Sequence, residues 1–138
     1  MEWVVRNLLI VDDNPADVRY TVEMLNEAGI ESDRHVVGDG VEALRFLRRR
    51  GEYTDAPRPD LVLLDWYLPR KDGREVLAEL RSDERVADVP VVVLAGSHLE
   101  AETLRTESKA ADAYAVKPLE PDGLRGYAER LGGARRIA

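Results

Sequence analysis

A chain of 138 residues with 27 acidic and 20 basic side chains, 44% hydrophobic residues and no cysteine has the length of one folded domain and enough apolar material for a core. The net charge of −7 argues against holding nucleic acid by phosphate neutralisation, and no apolar run approaches the roughly 18 residues of a membrane span. Lack of cysteine excludes disulfides, thiolate metal sites and a cysteine nucleophile, and suits a reducing cytoplasm.

The first apolar run, Leu8-Leu9-Ile10-Val11, predicts a strand and leads into Asp12-Asp13. Asn14-Pro15 reads as a cap followed by proline at the first helical position. Val18, Val22 and Leu25 then form one helical stripe, with Gly29 as the stop. His35-Val36-Val37 predicts a second strand. Asp39-Gly40 is a turn pair into a helix striped by Val41, Leu44 and Leu47, which ends in Arg48-Arg49-Arg50, where cations favour the negative end of the dipole. Gly51 to Asp60, with two prolines, reads as a surface loop. Leu61-Val62-Leu63-Leu64 is the third strand and runs into Asp65; Asp72-Gly73 opens a helix striped by Val76, Leu77 and Leu80. Val91-Val92-Val93-Leu94 is the fourth strand. The helix from Leu99 to Ala110 is the weakest, with Leu104 as its only large apolar anchor after Leu99. Ala113-Tyr114-Ala115-Val116 is the fifth strand, followed by Lys117-Pro118 and a helix striped by Leu124, Tyr127 and Leu131. Gly132-Gly133 breaks that helix. One domain over 1–138 is expected, with its core at about 7–131, a frayed tail at 132–138 and no output domain.

Strands alternating with helices describe an α/β domain, and continuous apolar runs suit parallel strands buried on both faces. In such a sheet ligands bind beyond the carboxyl ends of the strands. Asp12, Asp13, Asp65 and Lys117 all follow strands there, so three carboxylates and one ammonium converge if those strands are neighbours. Such carboxylates repel one another without a cation. A hard divalent ion is the remedy: Mg²⁺ takes one or two carboxylates, keeps waters and leaves room for a phosphoryl oxygen. Lys117 is a point charge on a long stem, suited to phosphate.

Ile10-Val11-Asp12-Asp13-Asn14, Leu63-Leu64-Asp65-Trp66-Tyr67-Leu68-Pro69-Arg70-Lys71-Asp72-Gly73 and Tyr114-Ala115-Val116-Lys117-Pro118 together resemble the three signature blocks of response-regulator receiver domains. The likeness spans roughly Asn7 to Leu131, and Val41 to Leu47 with the loop after it is similar to the small stand-alone, chemotaxis-regulator-like proteins found with bacteriophytochrome kinases. The resemblance implies a flavodoxin-like doubly wound (βα)5 fold with strand order 2-1-3-4-5 and helices on both faces. It implies Asp65 as phospho-acceptor and Asp13, Asp65 and the Tyr67 backbone carbonyl as ligands to Mg²⁺ (or Mn²⁺ in its place), with Asp12 acting mainly through water. Lys117 would contact the phosphoryl group, the Lys117–Pro118 bond would be cis, and Tyr114 would be the aromatic switch. Such a domain is a signalling acceptor, not an enzyme beyond its own phosphorylation and dephosphorylation. Its partner would be a histidine kinase or phosphotransfer protein, with neither nucleic acid nor membrane involved. The face from the fourth helix to the fifth is the family's docking or dimer surface, with Tyr114, Leu124 and Tyr127 near or beneath it, which makes a homodimer a candidate.

Two positions depart from that pattern: Ala110, where a helix-ending Gly is common, and the position after the fourth strand. Receivers carry Thr or Ser directly after the fourth apolar run, where this chain has Ala95, then Gly96 and Ser97. The missing hydroxyl would donate to a phosphoryl oxygen and couple it to Tyr114; such a bond to a charged acceptor is worth about 1.5–3 kcal/mol. The Gly96 N–H still donates to the phosphoryl group in this scheme, and Ser97 would need a shifted backbone to take over. A receiver-like scaffold acting without phosphorylation is therefore the competing expectation. Trp66 is expected at the pocket rim, Trp3 on the sheet edge or a partner, and His35 and His98 in plain core or surface roles.

Overall fold

The computed structural model describes residues 2–137. Its elements are β1 (Glu2–Val11), α1 (Pro15–Glu27), β2 (Ile30–Val37), α2 (Gly40–Arg48), a 3-10 turn at Gly51–Tyr53, β3 (Leu61–Asp65), α3 (Gly73–Ser82), β4 (Val91–Ala95), α4 (His98–Glu107), β5 (Ala113–Val116), α5 (Pro121–Arg130) and β6 (Arg135–Ile137). Five parallel strands stand in the order β2-β1-β3-β4-β5, as expected for a flavodoxin-like receiver.

The continuous apolar runs divide by alternation. Leu9 and Val11 of β1 face one core with α2, α3 and α4, through Leu44, Phe46, Leu77, Leu80 and Leu104. Leu8 and Ile10 face the other, with Leu25 of α1 and Leu124 and Ala128 of α5. The central strands β1, β3 and β4 are thus covered on both faces, while β2 at the sheet edge leaves Val36 exposed; this places the carboxyl ends of the central strands as the accessible edge. The helix starts follow local chemistry. Asn14 accepts from the Ala16 and Asp17 amides ahead of Pro15, Asp39 accepts from the Glu42 amide, and Asp72 forms a full capping box with Glu75.

Four expectations need correction. β1 and β2 extend beyond Leu8–Val11 and His35–Val37, because Trp3 and Val4 pair with Ile30 and Glu31 across a register shift. The expected frayed tail contains β6, which pairs antiparallel with Glu2, Trp3 and Val4; β1 outruns β3, whose pairing begins only at Leu8, and so leaves backbone groups for a short strand to satisfy. Leu99 is 79% exposed and anchors nothing; Ala101 and Leu104 carry the buried side of α4. Trp66 is buried in the core beside α3 rather than standing at the rim, with the Arg74 guanidinium 5.5 Å from its ring centroid.

Two close approaches fix the loop that follows β3. A Cβ on Gly73 would lie 2.8 Å from the Trp66 Cα, and one on Gly40 would lie 1.9 Å from the Lys71 carbonyl oxygen. The latter obstacle is backbone and cannot rotate away. Gly40→Ala is expected to cost about 3 kcal/mol, read as a lowered urea midpoint; a loss under about 1 kcal/mol would mean that the 69–72 loop yields freely.

Candidate functional site

The topology brings the carboxyl ends of β1, β3 and β5 to one edge, and with them the four residues singled out in the sequence. Among the described residues, Asp12, Asp13 and Asp65 form a cluster in which one oxygen from each lies within 4.8 Å of the others. Asp12 is buried. Its Oδ1 accepts from the Asn14 amide at 3.0 Å and its Oδ2 from Lys117 Nζ at 2.8 Å. Asp65 is mostly buried at the end of β3, and its Oδ2 lies 3.3 Å from the same ammonium. Asp13 is exposed at the mouth. Three hard oxygen donors gathered on one buried-to-exposed path suit a divalent cation of the magnesium type. Neither histidine belongs to the cluster; His35 packs its ring 5.2 Å from that of Phe46.

Lys117 crosses from β5, held by its amide donating to the Ala95 carbonyl at 2.9 Å and followed by a cis bond to Pro118. Burial works against its charge, but bonds to Asp12 and Asp17 and the charges of Asp65 and Asp12 outweigh it and hold the ammonium protonated above the ordinary lysine value. Asp65 moves the opposite way for a carboxylate. Burial raises its pKa, the Asp12 charge adds to the rise, and Lys117 offsets only part. Ionised Asp65 is therefore held at a cost.

Two site residues escaped the sequence. Asp17, an acid in the first turn of α1, accepts from Lys117 Nζ at 3.0 Å. Glu100 bridges the two loops beside the site: its Oε1 accepts from the Gly96 amide at 3.0 Å and its Oε2 from the Tyr67 hydroxyl at 2.9 Å. The Gly96 N–H expected to serve a phosphoryl oxygen is thus occupied by a carboxylate. The signal was the spacing Ser97-x-x-Glu100, a capping-box pattern. Ser97 does cap α4, its Oγ accepting from the Glu100 amide at 3.1 Å. The Glu100 side chain, however, reaches one residue further back than a box requires.

Ala95 is fully buried at the end of β4 and presents no hydroxyl. Tyr114 is only 7% exposed, in the same core as Ala95, Ala101 and Leu104. Its hydroxyl donates to the Ser108 carbonyl and accepts from the Ala111 amide, both in the loop before β5 and so at the opposite end of the strand from Lys117. On the outer side a groove of about 570 Å³ runs between α4 and α5, lined by residues including Arg105, Tyr114, Leu124 and Tyr127.

The sequence profile of the response regulator receiver domain matches residues 8–129. Response regulator Rcp1 from Synechocystis is 41% identical over 110 residues, covering 80% of this chain and 75% of that protein. The crystal structure of the Mn(2+)-bound form of response regulator Rcp1 superposes with a TM-score of 0.78 at 34% identity, over 96% of this chain and 99% of that one. The phosphorylated cyanobacterial phytochrome response regulator RcpA gives 0.77 at 39% identity, over 91% and 93% of the two chains. The bacteriophytochrome response regulator AtBRR gives 0.87 at 33%, over 96% of both. No described helix is long and apolar enough to cross a membrane.

Proposed function

The chain belongs to the response regulator receiver domain family, and from that premise we propose that Asp65 accepts a phosphoryl group from a phosphohistidine on a histidine kinase or phosphotransfer partner. The observation that carries this is the reach of Lys117 Nζ across the sheet edge to both Asp12 and Asp65, at 2.8 and 3.3 Å. That quartet joins a nucleophile, an acidic pair and a fixed cation at one point.

In the reaction an Asp65 carboxylate oxygen bonds to phosphorus as the phosphorus–nitrogen bond to the donor imidazole breaks, and the departing ring nitrogen takes a proton from water. Asp13, Asp65 and the Tyr67 carbonyl would hold Mg²⁺, with Asp12 behind them, and the ion when bound supplies charge neutralisation at the phosphoryl oxygens. Lys117 supplies the second positive charge from the β5 side. Hydrolysis by water later restores the carboxylate. The groove between α4 and α5 is the face through which a downstream protein reads the result.

The absent hydroxyl gives this receiver a weak hold on its phosphoryl group and a loose connection to Tyr114, whose own hydroxyl is engaged elsewhere. Ala95→Thr restores one donor, so fluoroberyllate, a phosphoryl mimic, is expected to bind about tenfold more tightly at saturating Mg²⁺, measured by calorimetry. An unchanged affinity would contradict the role given to that position. The scaffold alternative draws on the same residue, and it predicts that wild-type chain takes up neither fluoroberyllate nor phosphoryl.

A further inference from the structure

The Lys117 ammonium has three N–H bonds, and three carboxylates receive them: Asp12 Oδ2 at 2.8 Å, Asp17 Oδ2 at 3.0 Å and Asp65 Oδ2 at 3.3 Å. The proposed reaction uses the first and the last. Asp17 lies outside the group of oxygens that share a point for a cation, which comprises Asp12, Asp13 and Asp65. It comes from the first turn of α1, where the positive end of the helix dipole favours a carboxylate. Its side chain is 45% exposed, against 1% for Asp12 and 13% for Asp65. It therefore reaches the ammonium from the solvent side, while the other two reach it from within.

We infer that Asp17 is a positioning residue for Lys117, drawing the ammonium away from Asp65 in the resting site and competing with the incoming phosphoryl oxygen for it. This rests on Asp65 being the acceptor. An ammonium with three donors, all engaged, must release one partner to meet a phosphoryl oxygen. Release from Asp12 strands a carboxylate that water cannot reach, a costly outcome. Release from Asp65 turns the cation away from the reacting group. Release from Asp17 costs least, because water replaces the lost bond at a half-exposed carboxylate. Asp17 is thus the partner that lets go, and its charge stays near the site to oppose an anion there.

The consequence has two signs. Removing the Asp17 charge frees a donor and removes repulsion toward an anionic ligand, while making the site less attractive to a cation. In full-length Asp17→Asn, fluoroberyllate affinity at saturating Mg²⁺ is expected to rise about three- to tenfold, and Mg²⁺ affinity measured alone to fall by about twofold. Asp17→Glu keeps the charge and is expected to stay within about twofold of wild type in both. A purely structural role for Asp17 would shift both affinities in one direction, and that result overturns the inference, as does fluoroberyllate binding by Asp17→Asn that is unchanged or weaker while wild type binds normally. Wild-type chain that binds no fluoroberyllate overturns the acceptor assignment of Asp65 itself.

Discussion

Replacing Lys117 by alanine is expected to cost about 3 kcal/mol of stability without divalent cation and to slow phosphorylation by acetyl phosphate roughly 10²–10³-fold. The stability loss follows from what is left behind. Asp12, with 1% of its side chain exposed, and Asp65 lose the ammonium that bonds them both, and a buried charge stripped of its partner is the expensive half of an ion pair. The figure is taken at the low end of the range because Lys117 itself retains some contact with water, at 21% exposure. The pH dependence has a definite sign. The folded-state pKa of Lys117 lies above the ordinary lysine value, so its stabilisation is complete below that ordinary value and is lost as pH rises through the folded one. The gap between wild type and Lys117→Ala is therefore full at neutral pH and closes in strongly alkaline solution. Urea titrations with and without Mg²⁺ measure it, with Mg²⁺ recovering part of the variant's loss. A variant as stable as wild type at neutral pH would show that the carboxylates do not depend on this lysine.

Asp65→Asn is expected to abolish phosphoryl uptake and, without metal, to melt above wild type. Both effects arise from one carboxylate. Burial, reinforced by Asp12, raises its folded-state pKa, and Lys117 offsets only part of the rise. The folded chain then binds that proton more tightly than the unfolded chain does. Metal-free stability consequently falls as pH climbs from the ordinary carboxylate value through the raised one, and at neutral pH ionised Asp65 is a net cost. Asparagine keeps the shape and removes the charge. The difference in melting temperature is expected to vanish in acid below the ordinary carboxylate value, where Asp65 is protonated in both states. Mg²⁺ raises the wild-type midpoint and moves the variant less. Melting of Asp65→Asn below wild type at neutral pH would mean that the Lys117 pairing outweighs desolvation.

Much of this site was legible because it depends on a rule of topology. A double aspartate after the first apolar run, an aspartate after the third and Lys117-Pro118 after the fifth must share an edge once those strands lie parallel, and Asp12, Asp65 and Lys117 are hydrogen-bonded there. The strand cores were legible for a related reason: Leu8 and Ile10 enter one core and Leu9 and Val11 the other, so neither face tolerates a polar residue. What escaped depends on side-chain reach instead. Asp17 and Glu100 occupy positions where an acid is expected simply as a first-turn residue, and sequence spacing does not reveal that one bends to Lys117 and the other to Gly96 and Tyr67. β6 is three residues long and carries two arginines, so it has no apolar alternation to announce it. Trp66 turned inward because Gly73 lets α3 approach closely enough to cover it, a consequence of a missing side chain rather than of any residue present.

The most direct test is to expose wild-type chain to acetyl phosphate with Mg²⁺, reduce the product with borohydride, and locate the altered residue by peptide mass spectrometry. Borohydride converts an aspartyl phosphate to homoserine at the modified position. Conversion is expected at Asp65 alone and only with Mg²⁺; conversion at another carboxylate, or none at Asp65 under saturating acetyl phosphate and Mg²⁺, would contradict its role as acceptor.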